Sequence, residues 1–371
     1  MPGSPTTAKT RVVVVYGGRS AEHEVSCISA RHVLDALDAE RYQVTVLGVS
    51  LEGTWVDATA LAAGTTGDAS GGHQPAAGSG LPSPSESNAP PVDALQALAG
   101  DEGEAPSVVF PLIHGPMGED GTIQGLLEMS GLAYVGSGVL GSAVAMDKGV
   151  AKALLGAAGL AQVRYLVVRV DGIGRGIAAR VAAHLGWPVF VKPANMGSTI
   201  GISRARDATE LASSLDLALR YDEYVVIEEQ VQAREIELGV LGHVDLGVTG
   251  AGETRPSRDF YDFEDKYLDG AAGLIIPAEL PAGVLAEAQS LALRACAALR
   301  IEGMARVDFF YEESGRGLLI NEINTIPGFT AISMYPMLWS NAGLAPAQLI
   351  DALVEAARAR HARRRAFGTT R

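Results

Sequence analysis

The chain has 371 residues, 47% of them hydrophobic and 19% charged, enough for two or three domains with substantial cores. A formal charge of −14 argues against nucleic acid as the main partner, and no uninterrupted apolar stretch approaches the length of a membrane span. The opening "MPGSPTTAKTR" lacks the apolar centre of a signal peptide, and the two cysteines, Cys27 and Cys296, suit a reducing compartment better than a disulfide framework or zinc cluster, so a cytosolic protein is expected.

Taken in chain order, "RVVVVYGG" is a β-branched run closed by glycines, which predicts a buried strand. "EVSCISARHVLDALDAE" has helical spacing and "YQVTVLGVS" predicts a second strand, an order that points to a parallel α/β sheet. Residues 62–106 are rich in Gly, Ser, Pro and Ala and are expected to form a mobile insertion without chemistry. "SVVFPLIHG" resumes the sheet, "GTIQGLLEMSG" gives the next helix, and "GLAYVGSG" closes a first domain over 1–136. A helix from "MDKGVAKALLGAAG" opens a middle domain over 137–228, with strands at "RYLVVR", "WPVFVKPANMGSTIGISRA" and "EYVVIEEQV". The last domain, 229–371, holds "REIELGVLG", "GLIIPAEL", a long Ala-rich helix and the hairpin "RVDFFYEESGRGLLINEINTIPGFT". The basic "RARHARRR" near the end is expected to complement the dipole of a helix C-terminus.

Several stretches carry polar residues where a plain scaffold needs none. In the hairpin, Glu322 and Asn324 are two apart and share a face, and Asp308 falls opposite Glu322 if the turn centres near Gly315. A one-residue slip would undo that pairing. Carboxylates gathered on one surface repel, and a hard divalent cation resolves the repulsion; a solvated sheet face is the alternative. In "VFVKPANMGSTIGIS", Lys192 precedes a small flexible turn at Gly197, Ser198 and Thr199 whose amides could hold phosphates, or which could be a plain hairpin turn. "VVIEEQVQAREIELGV" supplies Glu228, Glu229 and Glu235, either for a nucleoside or as an exposed acidic loop. "YGGRSAEHEVS" puts Glu22 and His23 after a glycine pair, where a carboxylate suits a substrate ammonium; Ser20 and Ser26 are equally plausible helix caps. "LIHGPMGEDGT" ends a strand in His114, and strand C-termini are where open α/β sheets bind ligands, although a Gly/Pro turn explains it too.

The ordered set "GGRSAEHEVS", "HGPMGEDGTIQG", "MDK", "VKPANMGSTIGIS", "FYDFEDKY", "GMARVDFF" and "NEINTIPGFTAISMYP" strongly resembles the D-alanine–D-alanine ligases, which are ATP-grasp enzymes. The resemblance implies an α/β chain with a three-domain ATP-grasp fold: an N-terminal parallel α/β domain plus two α+β domains clasping ATP. It implies ATP-dependent joining of two D-alanines through a D-alanyl phosphate, as a step of peptidoglycan precursor synthesis, in a cytoplasmic enzyme that forms a homodimer. ATP phosphates would meet Lys148 and Lys192, adenine Glu228 and Val231, and ribose Glu235. Asp308, Glu322 and Asn324 would hold two Mg²⁺ ions, with Mn²⁺ as an alternative. Glu22 would take the ammonium of the first D-alanine, with His114 near the same pocket. Lys266, Ser333 and Met334 would bind the second, and Ser333 and Lys266 would meet its carboxylate. Arg306 and the Gly328 N–H would form an oxyanion hole. "DFYDFEDKYLDG" matches a loop that covers the site, from which Tyr267 would reach Glu22 and Ser198. That tyrosine favours D-alanine as the second substrate. Three positions depart from the pattern: Thr199 replaces a serine, Glu229 a lysine at the adenine edge, and Met117 a position often aromatic.

Overall fold

The structure, a computed structural model, describes residues 9–65, 80–100, 107–255 and 273–368. The first domain is a five-stranded sheet in the order β3-β2-β1-β4-β5. Its strands are β1 (Thr10–Gly17), β2 (Tyr42–Val49), β3 (Trp55–Asp57), β4 (Ser107–Pro111) and β5 (Ala133–Tyr134). All neighbours are parallel except the antiparallel edge strand β3. The unbroken valine run of β1 is explained by burial of both faces. Val12, Val14 and Tyr16 enter one apolar cluster, and Val13 and Val15 enter another on the opposite face. Helices α1 (His23–Ala36), α2 (Thr59–Thr65), α3 (Ala94–Ala99) and α4 (Thr122–Met129) accompany the sheet. The chain turns to opposite sides after β1 and β4, so the loops bearing Glu22 and His114 flank the crevice where such sheets bind ligands.

Part of the Gly/Ser/Pro-rich stretch corrects the expectation of a mobile insertion. Residues 80–100 pack against the first domain: Leu81 and Leu98 are buried, and Leu98 joins the cluster of Val13 and Val15. The Tyr16 hydroxyl donates to the Pro82 carbonyl at 2.9 Å, and the Leu81 N–H donates to Cys27 O at 3.0 Å. Asp93 caps α3 by accepting from the Gln96 N–H at 2.9 Å. Composition alone hid this, because two leucines in a run of small residues suffice to anchor it.

The middle region holds α5 (Val139–Met146), α6 (Lys148–Ala157), α7 (Ile177–His184) and α8 (Ala208–Ala218). Its antiparallel sheet runs β6-β9-β7-β8, from β6 (Tyr165–Arg169), β7 (Val189–Pro193), β8 (Ser203–Ala205) and β9 (Tyr224–Glu229). The third region is another antiparallel sheet, β12-β11-β10-β13-β14. It comprises β10 (Arg234–Gly242), β11 (Gly247–Arg255), β12 (Gly273–Ile275), β13 (Gly303–Glu312) and β14 (Gly317–Asn324). Helices α9 (Ala282–Leu299), α10 (Met334–Asn341) and α11 (Pro346–Arg365) complete it. This is the three-part α/β architecture that the resemblance implied. By length and composition α9 could cross a membrane, but Ala288, Ala292, Ala295, Cys296 and Leu299 on it pack into the core over the third sheet.

The apolar clusters cross the expected domain boundaries. Ala145 of α5 and Ala151 and Leu155 of α6 pack with α9 and the third sheet. Leu349, Ile350, Leu353 and Val354 of α11 pack with β1 and β4 of the first. The basic end of α11 does more than complement a dipole. Buried Arg360 stacks over the Tyr134 ring at 4.0 Å and donates to its carbonyl at 3.1 Å, while Arg363 pairs with Glu302 at 2.6 Å.

Gly303 marks the joint between the first domain and β13. Its φ is +80°, and a Cβ there would lie 2.6 Å from the Gly136 carbonyl oxygen. Gly303→Ala should therefore destabilise the protein by about 2 kcal/mol or more, measured as a lower guanidinium midpoint at unchanged slope. An unchanged midpoint would show that the joint can relax.

Candidate active site

A cleft of ≈ 410 Å³ lies where the three sheets meet. The first domain contributes Glu22 and His114 to it. The middle region contributes Lys148, Lys192, Ser198, Glu228 and Val231. From the third come Glu235, Arg306, Asp308, Glu322, Asn324 and Gly328. Ser333 and Met334 are not among the lining residues, and Lys266 and Tyr267 lie with the rest of "DFYDFEDKYLDG" outside the described residues.

The cation end is built on α6, β7 and β9. Lys192 Nζ sits 2.5 Å from Glu228 Oε2, and Lys152 Nζ sits 2.7 Å from Glu228 Oε1. Burial opposes the Glu228 charge, but the two flanking ammoniums win and hold its carboxyl down to about 2. Lys148 begins α6, donates to the Met196 carbonyl at 2.5 Å, and stands 4.0 Å from Glu322 Oε2. Burial lowers its pKa, and Lys192 nearby adds to the shift. Lys148 and Lys192 face the cleft together with the carboxylates that act on them, Glu228 and Glu322 among them, and cations so placed suit a ligand with negative charge.

The turn after β7 reaches back to the first domain. Ser198 and Thr199 take φ of +48° and +60°, a region that non-glycine residues rarely occupy. The Ser198 hydroxyl donates a short hydrogen bond to the Glu22 carboxylate. Cβ atoms built on Gly197 and Gly115 would lie 2.7 and 2.8 Å from Glu22 Oε2, so only glycine lets both loops close around that carboxylate. Thr199 uses its hydroxyl locally, donating to the Ser198 carbonyl at 2.6 Å.

Glu22 immediately precedes α1, and Ser20 Oγ accepts its N–H at 3.1 Å. Ser26 caps nothing: it accepts from the Gly17 N–H at 2.8 Å and donates to the Leu112 carbonyl at 2.6 Å, which ties β1 to β4. His23 is structural, its ring nitrogens 2.9 Å from the Gly18 carbonyl and 2.9 Å from Ser83 Oγ. His114 is buried between Ser29 Oγ at 3.0 Å, Ile326 O at 3.1 Å and Glu119 Oε1 at 3.6 Å. Burial alone would lower the His114 pKa, but the Glu119 carboxylate raises it above the ordinary value. Glu119 also lines the cleft, and nothing in the sequence set it apart from the other polar residues of its turn.

The acidic end is a single face of the third sheet. Asp308 pairs with Glu322 and Arg306 with Asn324 across β13 and β14, so all four side chains point the same way. The outer hairpin, from Glu312↔Gly317 to Phe309↔Ile320, is one residue out of step with this pairing, and the extra residue Asn321 corrects the step. On the other side Glu237 of β10 faces Asp308. Arg306 Nε lies 2.7 Å from both Asp308 Oδ1 and Glu237 Oε2, and Nη2 donates to Asp308 Oδ2 at 2.7 Å. Glu237 also accepts from Thr254 Oγ1 at 2.7 Å. Glu237 was not singled out from sequence, although it stands two residues after Glu235 on the same strand and hence on the same face.

Burial, reinforced by Glu237 and Glu322 and opposed by Arg306, pushes the Asp308 carboxyl up to about 7. Two carboxylates and an amide on one face form an all-oxygen donor set for a hard divalent cation, which would relieve this crowding. Asn324 here turns its Nδ2 toward Asp308 Oδ2 at 2.9 Å; rotating the amide presents its oxygen instead.

Beyond Gly328 the chain enters α10. Ser333 is its N-cap residue, and its Oγ accepts from the Thr330 N–H at 3.0 Å and lies 2.8 Å from Thr330 Oγ1. A Cβ on Gly328 would come within 2.8 Å of that oxygen. The helix start offers unpaired N–H groups of the kind that bind carboxylates, while the Met334 side chain is buried near Gly252. Glu229, the departure at the adenine edge, is committed elsewhere: Arg164 Nη2 lies 2.6 Å from one oxygen and Arg316 donates to the other at 2.6 Å.

Comparisons with known proteins point to one family. Residues 11–137 match the family described as "D-ala D-ala ligase N-terminus", and residues 154–355 match "D-ala D-ala ligase C-terminus". A D-alanine–D-alanine ligase of Parasynechococcus marenigrum is 44% identical, over 96% of this chain and 99% of that one. One of Geobacillus thermodenitrificans is 43% identical, over 95% and 96%. Among solved structures, the D-alanine-D-alanine ligase from Coxiella burnetii superposes with a TM-score of 0.79 at 32% identity, covering 96% of this chain and 98% of that one. The VanG D-Ala:D-Ser ligase of Enterococcus faecalis gives 0.77 at 29%, covering 94% and 99%. Two family segments in the right order, relatives alike over nearly their whole length and a cleft assembled from all three sheets lead to one conclusion: the chain belongs to the D-alanine–D-alanine ligase family.

Proposed function

We propose that the protein joins two D-alanines into D-alanyl-D-alanine at the expense of ATP, giving ADP and phosphate, as a step of peptidoglycan precursor synthesis. The observation that carries this reading is the convergence of a cationic end, a Glu22 pocket and an acidic face in one cleft. A carboxylate is a poor acyl donor because its leaving group is oxide. Transfer of the ATP γ-phosphoryl group to the first D-alanine makes an acyl phosphate with a good leaving group. The amine of the second D-alanine attacks that carbonyl, and the tetrahedral intermediate expels phosphate.

In this reading Lys148 and Lys192 hold the phosphates, and Glu228, Val231 and Glu235 hold the nucleoside. Glu22 takes the first ammonium, with Ser198 fixing its carboxylate, Tyr267 completing the set and His114 close by. Arg306, clamped by Asp308 and Glu237, and the Gly328 N–H face the oxygen that becomes negative in the second step. Ser333 with Lys266 takes the second carboxylate, and Met334 lies beside them at the start of α10. Asp308, Glu322 and Asn324 would hold a pair of Mg²⁺ ions, with Mn²⁺ as an alternative. When bound, such ions neutralise charge on the transferring phosphoryl group. The enzyme would act in the cytoplasm, as a homodimer, in keeping with two free, buried cysteines. Its domains would divide at 1–136, 137–228 and 229–371, with α6 and α11 packing across those limits.

The direct test incubates the protein with ATP, Mg²⁺ and D-alanine and measures phosphate and dipeptide; folded protein that releases no dipeptide overturns the reading. Parallel reactions with D-serine and D-lactate define the second substrate. Glu322→Ala should cut kcat about a hundredfold or more while changing the unfolding free energy by less than about 1 kcal/mol, since a partly exposed cation ligand is lost and little packing. A near-normal rate would remove Glu322 from the metal set.

Asp308 also sets a pH dependence. Its folded pKa lies above the ordinary 3.8, so the stability it contributes is present below that value and is lost as the pH rises through about 7. A cation binds the ionised form, so Mg²⁺ added to nucleotide-free protein should raise the melting temperature more at pH 8 than at pH 6. Equal shifts at the two pH values would place the cation elsewhere.

A further inference from the structure

Lys152 is buried, it is charged, and nothing in the reaction outlined above uses it. It lies one helical turn after Lys148 on α6, between the core positions Ala151 and Leu155, with its side chain 2% exposed. Its ammonium is 2.7 Å from Glu228 Oε1 and 5.4 Å from the centre of the Tyr165 ring. Burying an ammonium costs several kcal/mol unless it is paired, and an apolar residue at such a position costs nothing of the kind. The position makes sense through Glu228, which is 3% exposed and reached on its other oxygen by Lys192.

Two ammoniums share this one buried carboxylate. With Lys152 fixed on Oε1, the Glu228 charge is already matched, and Lys192 is the cation left to a ligand, with Glu322 and Glu235 acting on it from the cleft wall. It also differs in access, because Lys192 lines the cleft and Lys152 does not. Without Lys152, Glu228 and Lys192 would form a closed neutral pair, and a phosphate could engage Lys192 only by stranding a buried carboxylate.

We propose that Lys152 is a positioning residue of the nucleotide site: it stays on Oε1 of Glu228 when a nucleotide phosphate draws Lys192 away from Oε2. Oε2 is then left as an acceptor aimed into the cleft, where an exocyclic amino group such as that of adenine can meet it. Phosphate and base recognition are thereby linked through one carboxylate. This rests on the reading of the cleft as an ATP site.

The test is a mutant cycle on the full-length protein with Lys152→Met, Lys152→Arg, Glu228→Gln and the Lys152→Met/Glu228→Gln pair. Calorimetry gives Kd for ATP and ADP, and steady-state rates give KM for ATP and for D-alanine. Lys152→Met should weaken ATP binding about tenfold or more, as expected for loss of a charge-assisted contact, and leave the KM for D-alanine within about twofold. Lys152→Arg should recover most of the loss, and the preference for ATP over GTP should fall in Lys152→Met but not in Lys152→Arg. In the Glu228→Gln background, Lys152→Met should add less than about a further twofold, because the two residues act as a unit. An unchanged ATP Kd in Lys152→Met, or an equal loss with and without Glu228, overturns the proposal. Should the methionine variant not fold, Lys152→Gln, which hydrogen-bonds without charge, takes its place with the same expected and overturning results. ADP binding needs no ligation: wild-type protein that binds ADP and forms no dipeptide faults the reaction alone, and one that binds no adenine nucleotide faults the reading of the site.

Discussion

The cleft has to hold many charges of both signs where little water can screen them, and most of the molecule's layout follows from that constraint. A buried charge is tolerable only when its partner is fixed beside it. At one end Glu228 lies between Lys152 and Lys192, and at the other Arg306 lies between Asp308 and Glu237. Each triplet has one group of one sign flanked by two of the other, so each carries a net charge of the sign opposite to its centre. A phosphate chain suits the first and a cation suits the second. The two are brought together by Lys148 and Glu322, which approach to 4.0 Å across the gap between the sheets. The site is thus polarised before any ligand enters.

How much of this can be read from the chain alone depends on whether periodicity carries it. The parallel first sheet is legible because β1 is apolar at every position, as a strand covered on both faces must be. The shared face of Glu322 and Asn324 is legible from their spacing. The pairing of Asp308 with Glu322 comes out as a turn near Gly315 implies, but by another route: the outer hairpin is one residue out of step and the extra residue Asn321, which leaves no mark on composition, restores it. Lys152 hides for a different reason: a lysine one turn after Lys148 on a helix resembles solvated surface until the helix is docked. Leu81 and Leu98 are drowned in small residues. Glu119 and Glu237 show how a site gathers groups from three sheets, of which any one stretch shows only its share.

The departures from the family pattern are absorbed locally. Glu229, where the resemblance implied a lysine, is held by two arginines. Arg164 and Arg316 hold it, the latter from the turn of the hairpin that carries Asp308 and Glu322. Glu229 thereby ties the end of β9 to the turn between β13 and β14. Thr199 keeps its hydroxyl but spends it on its own turn.

That tie bears on mechanics. The apolar cluster of the first sheet runs on into α10 and α11, and that of the third sheet runs on into α5 and α6. The cluster under β6 to β9 shares no residue with either. The first and third domains are therefore joined by apolar packing, and the middle sheet keeps a core of its own. The middle sheet is tied to the rest where Arg316 meets Glu229, where Lys152 meets Glu228 and where the Ile320 N–H, just outside it, donates to the Ala161 carbonyl at 2.9 Å. Its turn at Ser198 rests on Glu22. The residue proposed to seat the first amino acid is thus also the one on which the middle sheet rests against the first domain, so a change at Glu22 should be felt in both places.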